Sequence, residues 1–448
     1  MAFTLTREFI EKIEVLIEHN NSQEILIIFN NILAPDIAEV LQTLAFGHSK
    51  YLFSLFNEEK SAEILIELDE EIREKFIDNL SSKEIVNDLI NNLESDDAVD
   101  VIQELTDKKK QEVLSNIINP QQASDIADLL SYDDNSAGAL MAKELIKVSE
   151  AWSILRCVSE MRKQAKNVNS VYTIYVINDN NQLMGTLSLK KILLTHEKTF
   201  IEKIYNKQVI SVQTHASGEA VANVMNKYDL IVLPVVNDNG ELVGRITIDD
   251  VVDFIKEEAE KDYQMASGIS DNVESFDSIL TITKARIPWL IIGMIGGIIG
   301  AQIIGIFNIE QYPTYLVFFI PLIAAMGGNV GVQSSAIIVQ ALATQNLGLD
   351  NWVNRFMKEL GVSLLNGLIC CILVFFICKL IYPDPNLPII VSLSLLTIMV
   401  FAALFGTFVP LILNKYRIDP ALATGPFITT INDVIGLIIY FSIAKIII

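Results

Sequence analysis

At 448 residues the chain has room for about three domains of roughly 150 residues each, which excludes a single small binding module. Hydrophobic residues make up 51% and charged residues 20%, with a mean hydropathy of +0.39, a balance that excludes a disordered chain and an ordinary soluble enzyme. The net charge of −22 disfavours nucleic acid as a partner and favours cations.

The charge is unevenly placed. Residues 284–448 hold six carboxylates (Glu310, Asp350, Glu359, Asp384, Asp419, Asp433) and eight bases. Subtracting these from 55 acids and 33 bases leaves 49 and 25 before residue 284, a net −24. Cys370, Cys371 and Cys378 lie in an apolar run and Cys157 in the acidic half, so no disulfide framework is suggested and a reducing cytosol fits. Nothing at the N-terminus resembles a cleaved signal peptide, and export of the acidic half is not expected.

Residues 1–130 read as an acidic helical solenoid. One phrase recurs at 37–44, 61–68, 98–105 and 123–130, with Leu and Ile at helical spacing, as in stacked short hairpins. The stretch Glu94-Ser-Asp-Asp-Ala-Val-Asp100 puts Asp96 and Asp100 on one helical face, where like charges repel unless neutralised. An ordinary solvated helix start explains the same residues.

Residues 131–258 contain one unit twice, each a helix, a β-hairpin and a second helix. Alternating apolar residues flank an Asn-Asp-Asn turn at 178–180 and again at 237–239. The pair resembles tandem cystathionine-β-synthase (CBS) domains. That resemblance implies a ribose site at a Gly-x-x-Ser/Thr-x-x-Asp phrase, matched in the second copy by Gly244, Thr247 and Asp250. The first copy has Gly185 and Ser188 but Lys191. Residues 259–283 form a connector. An acidic helix, Asp249 to Asp262, leads through an amphipathic stretch at 275–283 to the first apolar run, in the position of a lever or a plain linker.

Residues 284–448 hold five apolar stretches, 287–307, 315–342, 360–382, 389–413 and 421–448, long enough to cross a bilayer as helices. Lys284 and Arg286, then Arg355 and Lys358, then Lys415 and Arg417 mark one side, while the alternate loops hold only Lys379. That bias places the acidic half in the cytoplasm and the C-terminus outside. The second span reads Met326-Gly-Gly-Asn-Val-Gly-Val-Gln-Ser-Ser335, in which helix packing and pore lining are equal readings. Asp433 sits about twelve residues into the fifth span, near mid-membrane at about 1.5 Å per residue, and is the only carboxylate deep within any expected span. A lone carboxylate there needs a cation, a partner or water, and it suits a hard divalent ion that keeps most of its water. Two copies of Asp433 on a shared axis, in a homodimer, would line a better pore than five spans alone.

Solenoid, CBS-like pair, acidic connector and five spans, with Ser136-Ala-Gly-Ala-Leu-Met141, Asp419-Pro-Ala-Leu422 and Asn432-Asp-Val434, together resemble the MgtE magnesium transporter family over nearly the whole chain. The fold class is therefore multidomain α and α/β plus a polytopic α-helical membrane part. The resemblance implies a homodimeric, magnesium-selective channel in the plasma membrane, with membrane lipid around it and no nucleic acid. Its pore is lined by the second and fifth spans, and its cytosolic domains bind Mg²⁺ to hold the gate shut. It implies Asp433 and Asn329 in the pore. As sensor ligands it implies Glu63, Asp96, Asp100, Glu219, Asp229, Asp250, Asp253, Glu258, Asp262 and Asp419. Ser217 and Lys261 stand where the pattern carries acids, and Lys190 and Lys191 replace an Arg-Asp pair of the ATP pocket. Two other readings compete: the same architecture carrying Co²⁺ or Mn²⁺, and a CBS-bearing membrane sensor without transport. An enzyme is not expected, since the 4 histidines are scattered and no phosphate-cradling loop or nucleophile-and-base set is visible.

Overall fold

The computed structural model describes residues 3–168, 170–270, 273, 278–307, 312–343, 352–416, 418–423 and 425–448. Glu310, Asp350 and Arg417 of the charge count, and residues 271, 272 and 274–277 of the expected connector, lie outside them. The chain divides into two units, Met1–Ile255 and Lys256–Ile448.

The first unit opens with short helices: α1 (Arg7–Glu18), α2 (Ser22–Phe29), α3 (Ala34–Thr43), α4 (Phe46–Phe53), α5 (Glu58–Ile66) and α6 (Glu70–Asp78). They continue with α7 (Ser82–Glu84), α8 (Ser95–Gln103), α9 (Asp107–Asn116) and α10 (Pro120–Leu129). Side-chain caps explain the frequent restarts. Thr6, Asn21, Asn57 and Asn119 each accept a bond from a first-turn amide, and Ser81 and Glu84 form a reciprocal capping box. Such helices are too short to stand alone and are held by an apolar core that includes Ile13, Ile37, Leu41, Leu52, Ile64 and Ile102.

The CBS-like region holds β1 (Ile146–Ser149), α11 (Ile154–Gln164), β2 (Ile174–Ile177), β3 (Leu183–Leu187) and α12 (Leu189–Leu194). The second copy has β4 (Val212–Gln213), α13 (Gly218–Tyr228), β5 (Val232–Val236), β6 (Leu242–Thr247) and α14 (Ile248–Ala266), inside which the unit boundary falls. Each copy is a three-stranded sheet in which the expected antiparallel hairpin gains a strand parallel to its first member, β1 on β2 and β4 on β5. The cores are not equivalent. Val212, Val221, Met225, Leu233, Val235 and Ile246 of the second copy belong to one apolar core with the solenoid, whereas the first copy packs around its own Ile146, Val148, Cys157, Ile174, Val176 and Leu187.

The second unit contains α15 (Ile279–Ile306), a short α16 (Thr314–Val317), α17 (Ile320–Ala343), α18 (Trp352–Ile381), α19 (Leu387–Lys415) and α20 (Pro426–Ile447). Among the described residues five helical stretches are long and apolar enough to cross a membrane. α19 is the central one: it packs on α17, α18 and α20, and α15 packs on α20. Leu290, Met294 and Ile298 of α15 and Leu365, Ile372 and Phe376 of α18 are exposed, as a lipid-facing surface requires. Several boundaries differ from the sequence reading: α20 starts at Pro426 and not at 421, and the second stretch is divided into α16 and α17. α15 starts at Ile279, so residues 279–283 of the expected connector are already its first turns. α18 starts at Trp352, which brings Glu359 inside a helix, so Asp433 is not the only carboxylate in these long helices.

Candidate functional site

Two places concentrate polar chemistry, one in each unit. In the second unit the glycines of α17 let α20 approach closely. Gly327, Gly328 and Gly331 are buried, while Ala325, Asn329, Gln333, Ala336 and Gln340 form an exposed stripe at intervals of three and four along the same helix. Asp433 on α20 is half-buried, and its Oδ1 lies 4.0 Å from where a side chain on Gly328 would begin. A larger residue at 328 would take up the space beside the carboxylate. Next to it, Asn432 is only 1% exposed and donates from Nδ2 to the Gly327 carbonyl at 3.3 Å, while its Oδ1 is buried with no hydrogen-bond partner among the described residues. Further along α17, Ser334 donates to Glu359 Oε1 at 2.5 Å.

In the first unit an acidic junction forms where α8 meets the start of α14. Asp96 and Asp97 lie in the first turn of α8, where the helix N-terminus favours negative charge. Burial pushes the Asp97 carboxyl up to about 7, helped by Asp100 and Asp250. Burial also holds Asp96 well above the usual carboxylate range, with Asp97 and Asp250 adding to it. Asp250 is raised by burial as well, against the bonds it accepts from Thr247, N–H at 3.0 Å and the hydroxyl. Arg245 on β6 stands among these acids; its Nη2 donates to Glu94 Oε2 at 2.8 Å and its Nε donates to the Glu144 carbonyl at 2.5 Å.

Of the expected ion ligands in the first unit, the fold brings Asp96 and Asp250 into mutual range, sets Asp100 beside Asp97, and sets Asp253 near Glu67, a residue the sequence reading did not select. Asp100 is exposed, whereas Asp97 is half-buried like Asp96 and stands with it near Asp250 at the start of α14. Glu63 pairs with Lys60 at 3.3 Å on the surface, and Glu219 and Asp229 sit exposed at opposite ends of α13. Glu258, Asp262 and Asp419 belong to the second unit; Glu258 pairs with Lys261 at 3.1 Å, and Asp419 accepts from the Ala421 amide at 2.8 Å. Among the described residues no three His, Cys, Asp or Glu side chains are grouped closely enough to hold a metal ion between them. A hydrated ion bridged through its waters needs no such cage. At the ribose phrase Gly244 lies against Met141 and the Ala142 carbonyl, and Thr247 and Asp250 bond each other. In the first copy Ser188 caps α12 by accepting from the Lys191 amide.

Five long apolar helices with buried polar groups, joined to a helical and CBS-like region with an acidic junction, define a multi-pass membrane transporter of cations. The sequence profile described as "Divalent cation transporter" matches residues 320–443, that of the MgtE intracellular N domain matches residues 32–135, and that of the CBS domain matches residues 137–195 and 201–257. The chain belongs to the MgtE family, a family of transporters and not of enzymes. It is 36% identical over 337 residues to the magnesium transporter MgtE of Thermus thermophilus, covering 74% of each chain. It is 27% identical over 438 residues to that of Bacillus subtilis, covering 98% of this chain and 97% of the other. The crystal structure of the cytosolic domain of the Mg²⁺ channel MgtE in complex with ATP aligns with 55% of this chain and 99% of its own, at 27% identity and a TM-score of 0.52. The soluble part of a magnesium transporter aligns with 56% of this chain and 98% of its own, at 24% identity and a TM-score of 0.51.

Proposed function

We propose that this chain is a magnesium transporter working as a homodimeric channel, which passes Mg²⁺ into the cytoplasm down its electrochemical gradient. Asp433 carries the reading. It is a half-buried carboxylate in an apolar helix, beside the Gly328 gap and next to the exposed Asn329 and Gln333 stripe of α17. Amide side chains on an exposed face cannot rest against lipid without loss, so this face turns to water, to an ion or to a second copy. A two-fold axis along it puts two carboxylates and several amide oxygens around one hydrated cation, the ligand chemistry Mg²⁺ prefers. The acids at Glu63, Asp96, Asp100, Glu219, Asp229, Asp250, Asp253, Glu258, Asp262 and Asp419 then serve as the cytosolic sensor, with Asp97 and Asp249 in the same junction. The Lys and Arg bias of the loops supports a cytoplasmic acidic half and an outside C-terminus.

Uptake of ²⁸Mg into liposomes holding only this protein, without ATP and with Co²⁺ and Mn²⁺ as competitors, tests the assignment. Ion entry that magnesium alone blocks supports a magnesium channel. Equal block by Co²⁺ or Mn²⁺ moves the substrate to divalent cations at large, and no entry leaves a membrane-anchored sensor. Adenine nucleotide is a second ligand of the CBS-like pair on this reading, through Gly244, Thr247 and Asp250, and loss of ATP retention in Thr247→Val checks it.

A further inference from the structure

We propose that Glu359 is a positioning residue for ion passage: from α18 it fixes the rotation of α17 through Ser334, and so aims the Asn329 and Gln333 amides. Glu359 is a half-buried carboxylate about two turns into α18, where the apolar run of that helix begins. Ser334 is 4% exposed and donates to its Oε1 at 2.5 Å, the length of a hydroxyl bond to a charged oxygen. An ionisable group in a membrane helix is costly and marks a task. The proposal rests on the reading of the Asn329 and Gln333 stripe as part of the ion's path.

Gly327, Gly331 and Ser334 recur at intervals of four and three, so they share the buried face of α17, while Asn329 and Gln333 share the exposed one. Successive residues of a helix lie about 100° apart, so a bond at Ser334 sets the direction of Gln333. The buried face is smooth. A Cβ on Gly406 of α19 would overlap the Gly331 carbonyl, and a Cβ on Gly331 would overlap the Asn432 amide of α20. Such a face brings backbones together but carries no side chain to interlock, so packing alone resists rotation weakly. Side-chain bonds supply what the glycines lack. Asn432 of α20 holds α17 at the Gly327 carbonyl, and two turns further on Glu359 holds it at Ser334. The main packing partners of α17 are α19 and α20, so Glu359 reaches it from a third helix, one that is itself packed along α19. Ser334 lies on the buried face and does not meet the ion. Its bond keeps the neighbouring amide oxygens where a hydrated ion meets them, as a supporting shell does for any binding site.

The test is ²⁸Mg uptake into liposomes over a range of external Mg²⁺, with wild type, Ser334→Ala, Glu359→Ala, the two combined, Glu359→Gln and Asp433→Asn. A bond that only stabilises the fold changes the amount of active protein and hence the maximal rate, whereas a bond that aims the amides changes the half-saturating Mg²⁺. Ser334→Ala and Glu359→Ala should each raise that concentration about fivefold, and the double variant no further, since one bond is lost in all three. Glu359→Gln keeps an acceptor oxygen and should stay within about twofold of wild type. If Glu359→Ala does not fold, Ser334→Ala set against Glu359→Gln decides the question. The proposal is overturned if Ser334→Ala leaves half-saturation unchanged, if the two single effects add, or if Glu359→Gln is as impaired as Ser334→Ala. Wild-type uptake by Asp433→Asn would overturn the pore reading alone, and the pattern among the Ser334 and Glu359 variants would still decide the anchor.

Discussion

The Asn432 amide on α20 donates to the Gly327 carbonyl on α17 at 3.3 Å, one residue along from the place where Asp433 stands beside Gly328. Asn432→Ala removes this bond and should cost about 0.5–2 kcal/mol of stability, read as a lowered melting temperature in detergent. A several-fold loss of uptake should accompany it, since Asp433 is no longer held in register. A Cβ on Gly331 would collide with the same amide, so Gly331→Ala should impair uptake in the same way. Wild-type uptake in both variants would show that the bond only packs the helices.

Asp433→Asn should leave a folded protein and reduce magnesium uptake by at least about tenfold, because the anion that offsets ion dehydration is gone. Unchanged uptake sinks the pore assignment.

The acidic junction makes stability depend on pH when divalent ions are absent. Asp97 titrates at about 7 in the folded chain, above the usual carboxylate value of 3.8, so folding binds its proton more tightly than unfolding does. Its favourable contribution is full below that usual value and is lost as pH rises through about 7. The melting temperature of wild type in EDTA should therefore fall across this window, and Asp97→Asn should flatten the fall. A flat wild-type profile would show that the carboxylate is solvated.

Neutralising Asp96, Asp250 and Asp253 together removes candidate ion ligands and also removes repulsion. Each bridging ion offsets several acids at once, so its loss should dominate, and the triple Ala variant should conduct at magnesium levels that close the wild type. Uptake at rising internal Mg²⁺ reads this, and a variant that still closes would move the sensor elsewhere.

The two hairpins were legible because Asn178-Asp-Asn180 and Asn237-Asp-Asn239 mark their turns between alternating strands. The parallel strands β1 and β4 were not, being four and two residues long with no turn signal of their own. The membrane helices stand out by hydropathy, but their ends do not, since α18 takes in Arg355, Lys358 and Glu359 before its apolar run begins. Asp433 is visible in sequence because it interrupts an apolar segment. Asp97 and Arg245 are not visible in this way. Each is an ordinary charged residue in its own stretch, and Arg245 becomes a buried ion only when folding brings Glu94 against it from 151 positions away.

Two copies of one sequence unit need not share one fate. The second CBS-like unit draws its core from the solenoid, and the first keeps its main core to itself, meeting the second only through the small cluster of Tyr175, Ile177 and Leu242. Native-state hydrogen exchange should therefore group the amides of β5 and β6 with those of the solenoid helices, opening together, while β2 and β3 exchange on a separate schedule. The cooperative boundary would then run between the two repeats and would join the second of them to a stretch of chain with no sequence likeness to it. A destabilising change at Ile102 or Leu41 should accelerate exchange more than a hundred residues away in β5 before it is felt in the intervening first copy.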